Sequence, residues 1–521
     1  MRADLVLTNG KIFTMNPSQP HAEAIAIKDG KIVQVGTNDD VDRWIGKDAK
    51  LINLKGKTVV PGFIDTHIHV ADFARVLAWL DLSNVMSIQE LQDILKARVQ
   101  RTPRGKWIIG RGWDQNRFAE RRLPTRHDLD AFSAANPVIL YHECGQICVV
   151  NSKALELADL TKQTVGTGGD IDKNAKTGGL TGILRDDATS LVWKFVPIMT
   201  EDELLEAVSL ACEKIVEAGV TSVCWIVLSL MELSVIEKLR VRNRLPLRVY
   251  IVVPAELLDR VPASTLSKSA NKALRIGGVV IFADGYLAAR TAALFQSYND
   301  CPDSSGKLLY TQKEMNRLAV KVHHANLQLV IHAVGDKAVD VALNAIEGTL
   351  KEVRGKELRN RIEQAAVLNE ELVQRMKNCR VIVSVQPCVV DSEFRVWSAT
   401  ERLGPERVRW LYPIKTLISE GVKVSGGSDC PMEPLNPLLG IKAAVTREFF
   451  PEECVTVEEA LRLYTIDAAY TIFEENVTGS IEKGKLADLA VLSRDPWMVE
   501  PKEIGDIEVE MTIVGGRVVH T

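Results

Sequence analysis

Short apolar runs recur along the chain at residues 59–66, 220–225, 247–253, 277–283, 328–332, 361–366, 381–386 and 422–428. Their length suits buried strands, and segments with helical hydrophobic spacing separate most of them. Three of those segments open on Thr-x-x-Glu: Thr200 with Glu203, Thr311 with Glu314, and Thr456 with Glu459. In this pattern the threonine oxygen and the glutamate carboxylate satisfy two orphan amides of the first helical turn. Eight strands alternating with helices predict an α/β chain built on a (β/α)8 TIM barrel.

The two ends of the chain share a different pattern. EAIAIKDGKIVQVG predicts two strands joined across Asp29-Gly30, and EVEMTIVGGRVVH a hairpin across Gly515-Gly516. Asp-Gly and Gly-Gly supply the positive φ angles that a two-residue hairpin needs. ADLAVLSRD adds one more strand. Each end alone offers few strands, so together they predict one composite β-sandwich domain of residues 1–58 and 476–521. The barrel, residues 59–475, is inserted between them. Residues 84–194 are too many for a loop and carry strand-like runs of their own, at 107–110 and 137–142. They predict an insertion subdomain over the barrel mouth. Within it, DIDKNAKTGGLT has Ala175 and Thr181 where a calcium loop needs glycine and glutamate, and it reads as a polar hairpin.

Composition narrows the class. With 521 residues, 46% of them hydrophobic, the chain can bury a large core. A net charge of -4 with no basic run gives no footprint for nucleic acid. No apolar run is long enough to span a membrane, and MRADLVLTNGKIF lacks the apolar core of a signal peptide. Nine scattered cysteines with no CxxC pair point to a reduced, cytoplasmic protein.

In a barrel the chemistry sits at the carboxyl ends of the strands. The first run carries His67 and His69 there, the fifth His332, and the eighth Asp429. Residues two apart on a strand face the same side. Three imidazoles and a carboxylate suit Zn²⁺ or another divalent transition metal. Such an ion generates hydroxide from bound water at neutral pH, and a neighbouring carboxylate can shuttle the proton.

PGFIDTHIH resembles the opening motif of the amidohydrolase superfamily. The chain is similar, more narrowly, to the YtcJ-like metal-dependent amidohydrolases, the group that includes N-substituted formamide deformylase. The resemblance extends through GRGWDQNRF, LPTRHDLDAF, VVNSKAL, FADGYLAARTAAL, VIHAVGDKAVD, RIEQA, SVQP, GSDCPMEP, YTIDAAY and GSIEKGKLADLAVL. It implies the same composite sandwich and barrel. Four positions depart from the family pattern. Val280 stands where a metal-bridging lysine is usual, and Gln364 replaces the histidine of Ile-Glu-His. Gln146 replaces a histidine after glycine, and Cys388-Val389-Val390 lacks the histidine that follows SVQP. Valine offers no ligand atom, so the expectation is a single metal, as in the cytosine and adenosine deaminases that the remaining ligands resemble.

The sequence therefore predicts a metal-dependent amidohydrolase that cleaves a C–N bond of a small amide or cyclic amide through a metal-bound hydroxide. His67, His69, His332 and Asp429 are the expected ligands of one divalent ion, zinc first. Asp429 is also the expected proton shuttle, and Gln364 the group that positions water or the substrate carbonyl. Arg290, Asp284, Trp113, His142 and Gln146 are the candidate substrate contacts, with an Arg290–Asp284 salt bridge as the plainer role for that pair. A homodimer is the expected oligomer. The lost lysine and histidine motivate a second reading, a catalytically impaired relative with a binding or regulatory role.

Overall fold

The computed structural model describes residues 2–165, 169–261, 274–352 and 357–521. They divide into two compact units, one of Met1–Phe73 with Val208–Thr521, the other of Ala74–Ala207.

The first unit holds eight strands in one sheet: β1 (Phe63–Ile68), β2 (Val220–Ile226), β3 (Arg248–Pro254), β4 (Leu274–Phe282), β5 (Gln328–Ala333), β6 (Arg361–Gln364), β7 (Ile382–Val385) and β8 (Lys423–Gly426). They lie in sequence order, and every ladder is parallel. The outermost strands come together. The Thr66 hydroxyl donates to the Gly426 carbonyl at 3.0 Å, and the Asp429 N–H donates to the His67 carbonyl at 2.8 Å. The result is a parallel near-barrel in which all eight carboxyl ends face one way. The predicted capping boxes at Thr311–Glu314 and Thr456–Glu459 are present, at the heads of helices Gln312–His324 and Val457–Leu463.

The apolar run at 59–66, expected as one strand, is two. Thr58–Pro61 pairs with Leu489–Leu492 and Lys11–Phe13, and β1 begins at Phe63. Gly62 makes the break. A Cβ there would lie 2.2 Å from the Thr221 methyl, so only glycine lets the chain pass so close to β2.

The unit contains two further sheets. One orders Lys31–Gly36, Ala24–Lys28, Leu5–Thr8 and Lys50–Asn53. The other orders Arg517–His520, Val509–Val514, Leu489–Leu492, Thr58–Pro61, Lys11–Phe13 and His21–Ala22, mixing strands from both chain ends. Leu7, Ile25 and Ile27 of the first share a buried cluster with Ile12, Val59, Leu489 and Ile513 of the second. Both expected hairpins turn on left-handed residues, Asp29 (φ 50) and Gly30 (φ 75), and Gly515 (φ 53) and Gly516 (φ 73).

The unit Ala74–Ala207 is built on a six-stranded sheet in the order Ile171–Lys173, Leu180–Arg185, Ile147–Val150, Val138–His142, Ile108–Trp113 and Leu80–Asp81. Its first pair is the hairpin read from DIDKNAKTGGLT. Among the described residues no helix is long and apolar enough to cross a membrane.

Candidate metal centre

His67 and His69 reach the barrel end by way of a bulge. Val223 of β2 opposes Asp65 and Trp225 opposes Ile68, so β1 advances three residues while β2 advances two. Such an extra residue re-aims side chains beside it. β1 ends at Ile68, and His69 stands just beyond it with its N–H donating to the Cys430 carbonyl at 3.0 Å. Asp65 ties this end to β8 by accepting from the backbone N–H groups of His67 and Ser428, both at 3.0 Å. Burial pushes the Asp65 carboxyl up to about 6 against those hydrogen bonds.

The outcome is a convergence. Nε2 of His67 and Nε2 of His69 each lie 3.5 Å from Oδ1 of Asp429. Ligand atoms of these three residues all fall within 4.8 Å of one another. His332, the fourth expected ligand, stands outside that group. It is buried, its ring nitrogens have no hydrogen-bond partner, and it packs edge-on against Tyr286 at 5.5 Å between ring centroids. A buried imidazole with neither nitrogen satisfied is costly unless something else engages it.

The electrostatics fit a cation. Burial works against a charged His67, yet Asp429 and Glu363 outweigh it and raise the imidazole to about 10. Burial opposes ionisation of Asp429 too, but the two histidines hold it below the usual carboxylate range. His332 goes the other way: burial, with His67 beside it, lowers it to about 4 and leaves it neutral with its lone pair available. His332 thus offers a neutral nitrogen and Asp429 an ionised carboxylate, and the carboxylates that favour a proton on His67 would equally favour a divalent transition metal in its place.

Three buried side chains behind the ligands escape a reading from motifs. Glu363 accepts from Nδ1 of His67 at 2.6 Å, which leaves the Nε2 lone pair for Asp429's side of the site. Arg361, also fully buried, pairs with Glu363 at 2.7 Å and donates to the Thr66 carbonyl at 2.7 Å. The Tyr412 hydroxyl donates to Oε1 of Gln364 at 2.6 Å, and Nε2 of Gln364 donates to Oδ2 of Asp429 at 3.1 Å. Each end of the Gln364 amide thus makes one bond, to Tyr412 and to Asp429, leaving a second N–H and a second oxygen lone pair for water or a substrate carbonyl. Val280 lies in an apolar cluster with Cys224, Val252 and Val330 and offers no ligand atom.

The candidate substrate contacts fare unevenly. Arg290 pairs with Asp300 at 2.7 Å, so the salt bridge expected with Asp284 does not form. Asp284 is buried and accepts from the backbone N–H groups of Ala293, Val334 and Gly335 at 2.8, 2.9 and 2.9 Å. Burial raises it to about 7 against those three donors. It clamps two loops at the carboxyl ends of β4 and β5. Trp113 is core, not pocket wall. It is fully buried among Leu140, Phe118 and Leu129 of its own unit, and its indole N–H donates to the Leu140 carbonyl at 2.9 Å. In the same unit, His142 Nδ1 accepts from the Cys144 N–H at 3.0 Å, and Gln146 lies in an exposed turn.

A family model described as "Amidohydrolase family" matches residues 50–520. This chain belongs to the amidohydrolase family. It is 33% identical to the putative amidohydrolase YtcJ of Bacillus subtilis, over 98% of either chain. To the N-substituted formamide deformylase of Arthrobacter pascens it is 27% identical, over 98% of this chain and 97% of the relative. Among solved structures, an uncharacterized metal-dependent hydrolase from Pyrococcus furiosus superposes with a TM-score of 0.79 at 34% identity. The match covers 94% of this chain and 99% of that one. As an amidohydrolase-family chain, it keeps its histidines and aspartate on the strand ends where its eight-stranded sheet opens.

Proposed function

We propose that this amidohydrolase-family chain is a metal-dependent hydrolase that cleaves a C–N bond in a small amide or cyclic amide. It would use one divalent ion, zinc first, held by His67, His69, His332 and Asp429. The observation that carries this reading is the meeting of two Nε2 atoms on Oδ1 of Asp429 beside a buried His332 with both nitrogens unmet. When bound, the ion acidifies water and polarises a carbonyl.

The chain's own residues supply the rest. Asp429 takes a proton from the attacking water and passes it to the departing nitrogen. The Gln364 amide holds the other carboxylate oxygen, so Asp429 keeps its angle while the proton moves. Tyr412 fixes which way that amide points. Glu363 and Arg361 fix the His67 ring. The apolar Val280 cluster supports one ion rather than two.

The same reading takes residues 1–58 and 476–521 as a composite sandwich domain, residues 59–475 as the barrel, and residues 84–194 as its insertion. The test is Asp429→Asn, assayed on a panel of N-formyl and cyclic amides. Turnover should fall by about a thousandfold or more while the circular dichroism and melting curve stay those of the parent. Undiminished turnover would contradict the assignment.

A further inference from the structure

A cavity of about 400 Å³ lies at the carboxyl ends of β4 and β5 and shares His332 with the metal centre. Phe282, Tyr286 and Leu309 give it apolar walls. The rings of Phe282 and Tyr286 sit 5.4 and 5.5 Å from the His332 ring, so a group held between them is attached close to the reacting bond.

Two charged residues line this space, Asp284 and Lys307. The Asp284 carboxylate is turned onto three backbone N–H groups. The Lys307 ammonium has no ion pair or hydrogen bond among the described residues. Its backbone is held in place. The Lys307 N–H donates to the Thr291 carbonyl at 3.2 Å, and Leu309 donates to the Ala283 carbonyl at 2.9 Å. Gly306 just before it has φ 73, and a Cβ there would sit 1.8 Å from the Ala292 carbonyl. The segment is pinned against the loop after β4, with one uncompensated positive charge at the edge of an apolar slot.

We propose that this cavity is the specificity pocket of the same site, and that it takes an apolar substituent ending in a carboxylate that pairs with Lys307. The substrate class is then a carboxylate-bearing amide, with the acid group one apolar group's length from the scissile bond. The proposal rests on the reading of the site as an amide hydrolase. Lys307 is exposed, and an ion pair with an exposed lysine is worth up to about fivefold in selectivity.

The test uses matched pairs of amides that differ only in a distal carboxylate or carboxamide, with the parent protein, Lys307→Met and Lys307→Glu. It reads kcat/KM. It also reads, without turnover, the dissociation constants of N-methylated, hydrolysis-resistant members by calorimetry on the metal-loaded protein. The parent should favour the carboxylate member about threefold to fivefold in either measure. Lys307→Met should bring the ratio to about one, and Lys307→Glu should invert it. A ratio near one in the parent, or a preference that survives Lys307→Met, overturns the pocket. A Lys307-dependent binding preference with no turnover of any member supports the pocket and contradicts the hydrolase reading instead.

Discussion

Gln364 sits with φ 69, followed by Ala365 at φ 47, and Tyr412 and Asp429 also adopt left-handed backbone, at φ 48 and 58. Non-glycine residues persist there when the surroundings over-determine them. Here the surroundings are the Tyr412–Gln364–Asp429 chain of hydrogen bonds on one side and Arg361–Glu363–His67 on the other. Tyr412→Phe frees one end of the Gln364 amide, and kcat should drop about tenfold with little change in KM. Equal losses in binding and turnover would argue for a merely structural tyrosine. Glu363→Gln weakens the partner of the His67 ring, and metal affinity, measured by competition with a chromophoric chelator, should fall about 10- to 100-fold. An unchanged affinity would remove Glu363 from the site. The strand-end placement of His67, His69, His332 and Asp429 is legible because each lies at or just beyond the end of an apolar run. Glu363 was not, because its partner is 296 residues away and a strand sequence of RIEQ does not say which side chain meets a ligand.

At the scale of elements, β1 depends on contacts that glycine alone allows. A Cβ on Gly427 would lie 2.7 Å from both the backbone nitrogen and the Cβ of His67. Gly427→Ala should push the end of β1 away from β8, lowering stability by about 1–3 kcal/mol and weakening metal binding with it. A melting curve and a chelator titration check the pair. The helix Pro387–Arg395 carries a second liability in Glu393, which is 4% exposed with one carboxylate oxygen unpartnered. Burial raises this carboxyl to about 8, opposed by Arg402. A carboxyl raised in the fold lends stability that is fully present below its ordinary value near 4.5 and is lost as pH climbs toward 8. Thermal melts from pH 5 to 9 should therefore show the parent losing stability relative to Glu393→Gln as pH rises. Parallel curves would mean Glu393 is ionised throughout. The eight strands were legible from period and length. The break at Gly62 and the bulge at Thr66–His67 were not, because each answers to a neighbour on β2 rather than to its own sequence.

The whole molecule places this chemistry by topology. Eight parallel strands in sequence order bring residues from positions 67 to 429 to one face, although hundreds of residues separate them. The sheet of Thr58–Pro61, Leu489–Leu492 and Lys11–Phe13 joins the two chain ends just before β1, so the first ligand strand emerges from a fixed frame. That pairing could be anticipated only because neither end has strands enough alone. In the proposed function, four ligands on strands one, five and eight hold a single ion, and Val280 offers no ligand for a second. Metal content per chain, measured by plasma mass spectrometry after stripping and reconstitution with zinc, decides between one ion and two. One ion per chain, lost in His67→Ala and weakened in His332→Ala, is the predicted result. Two ions per chain, or none, would contradict it.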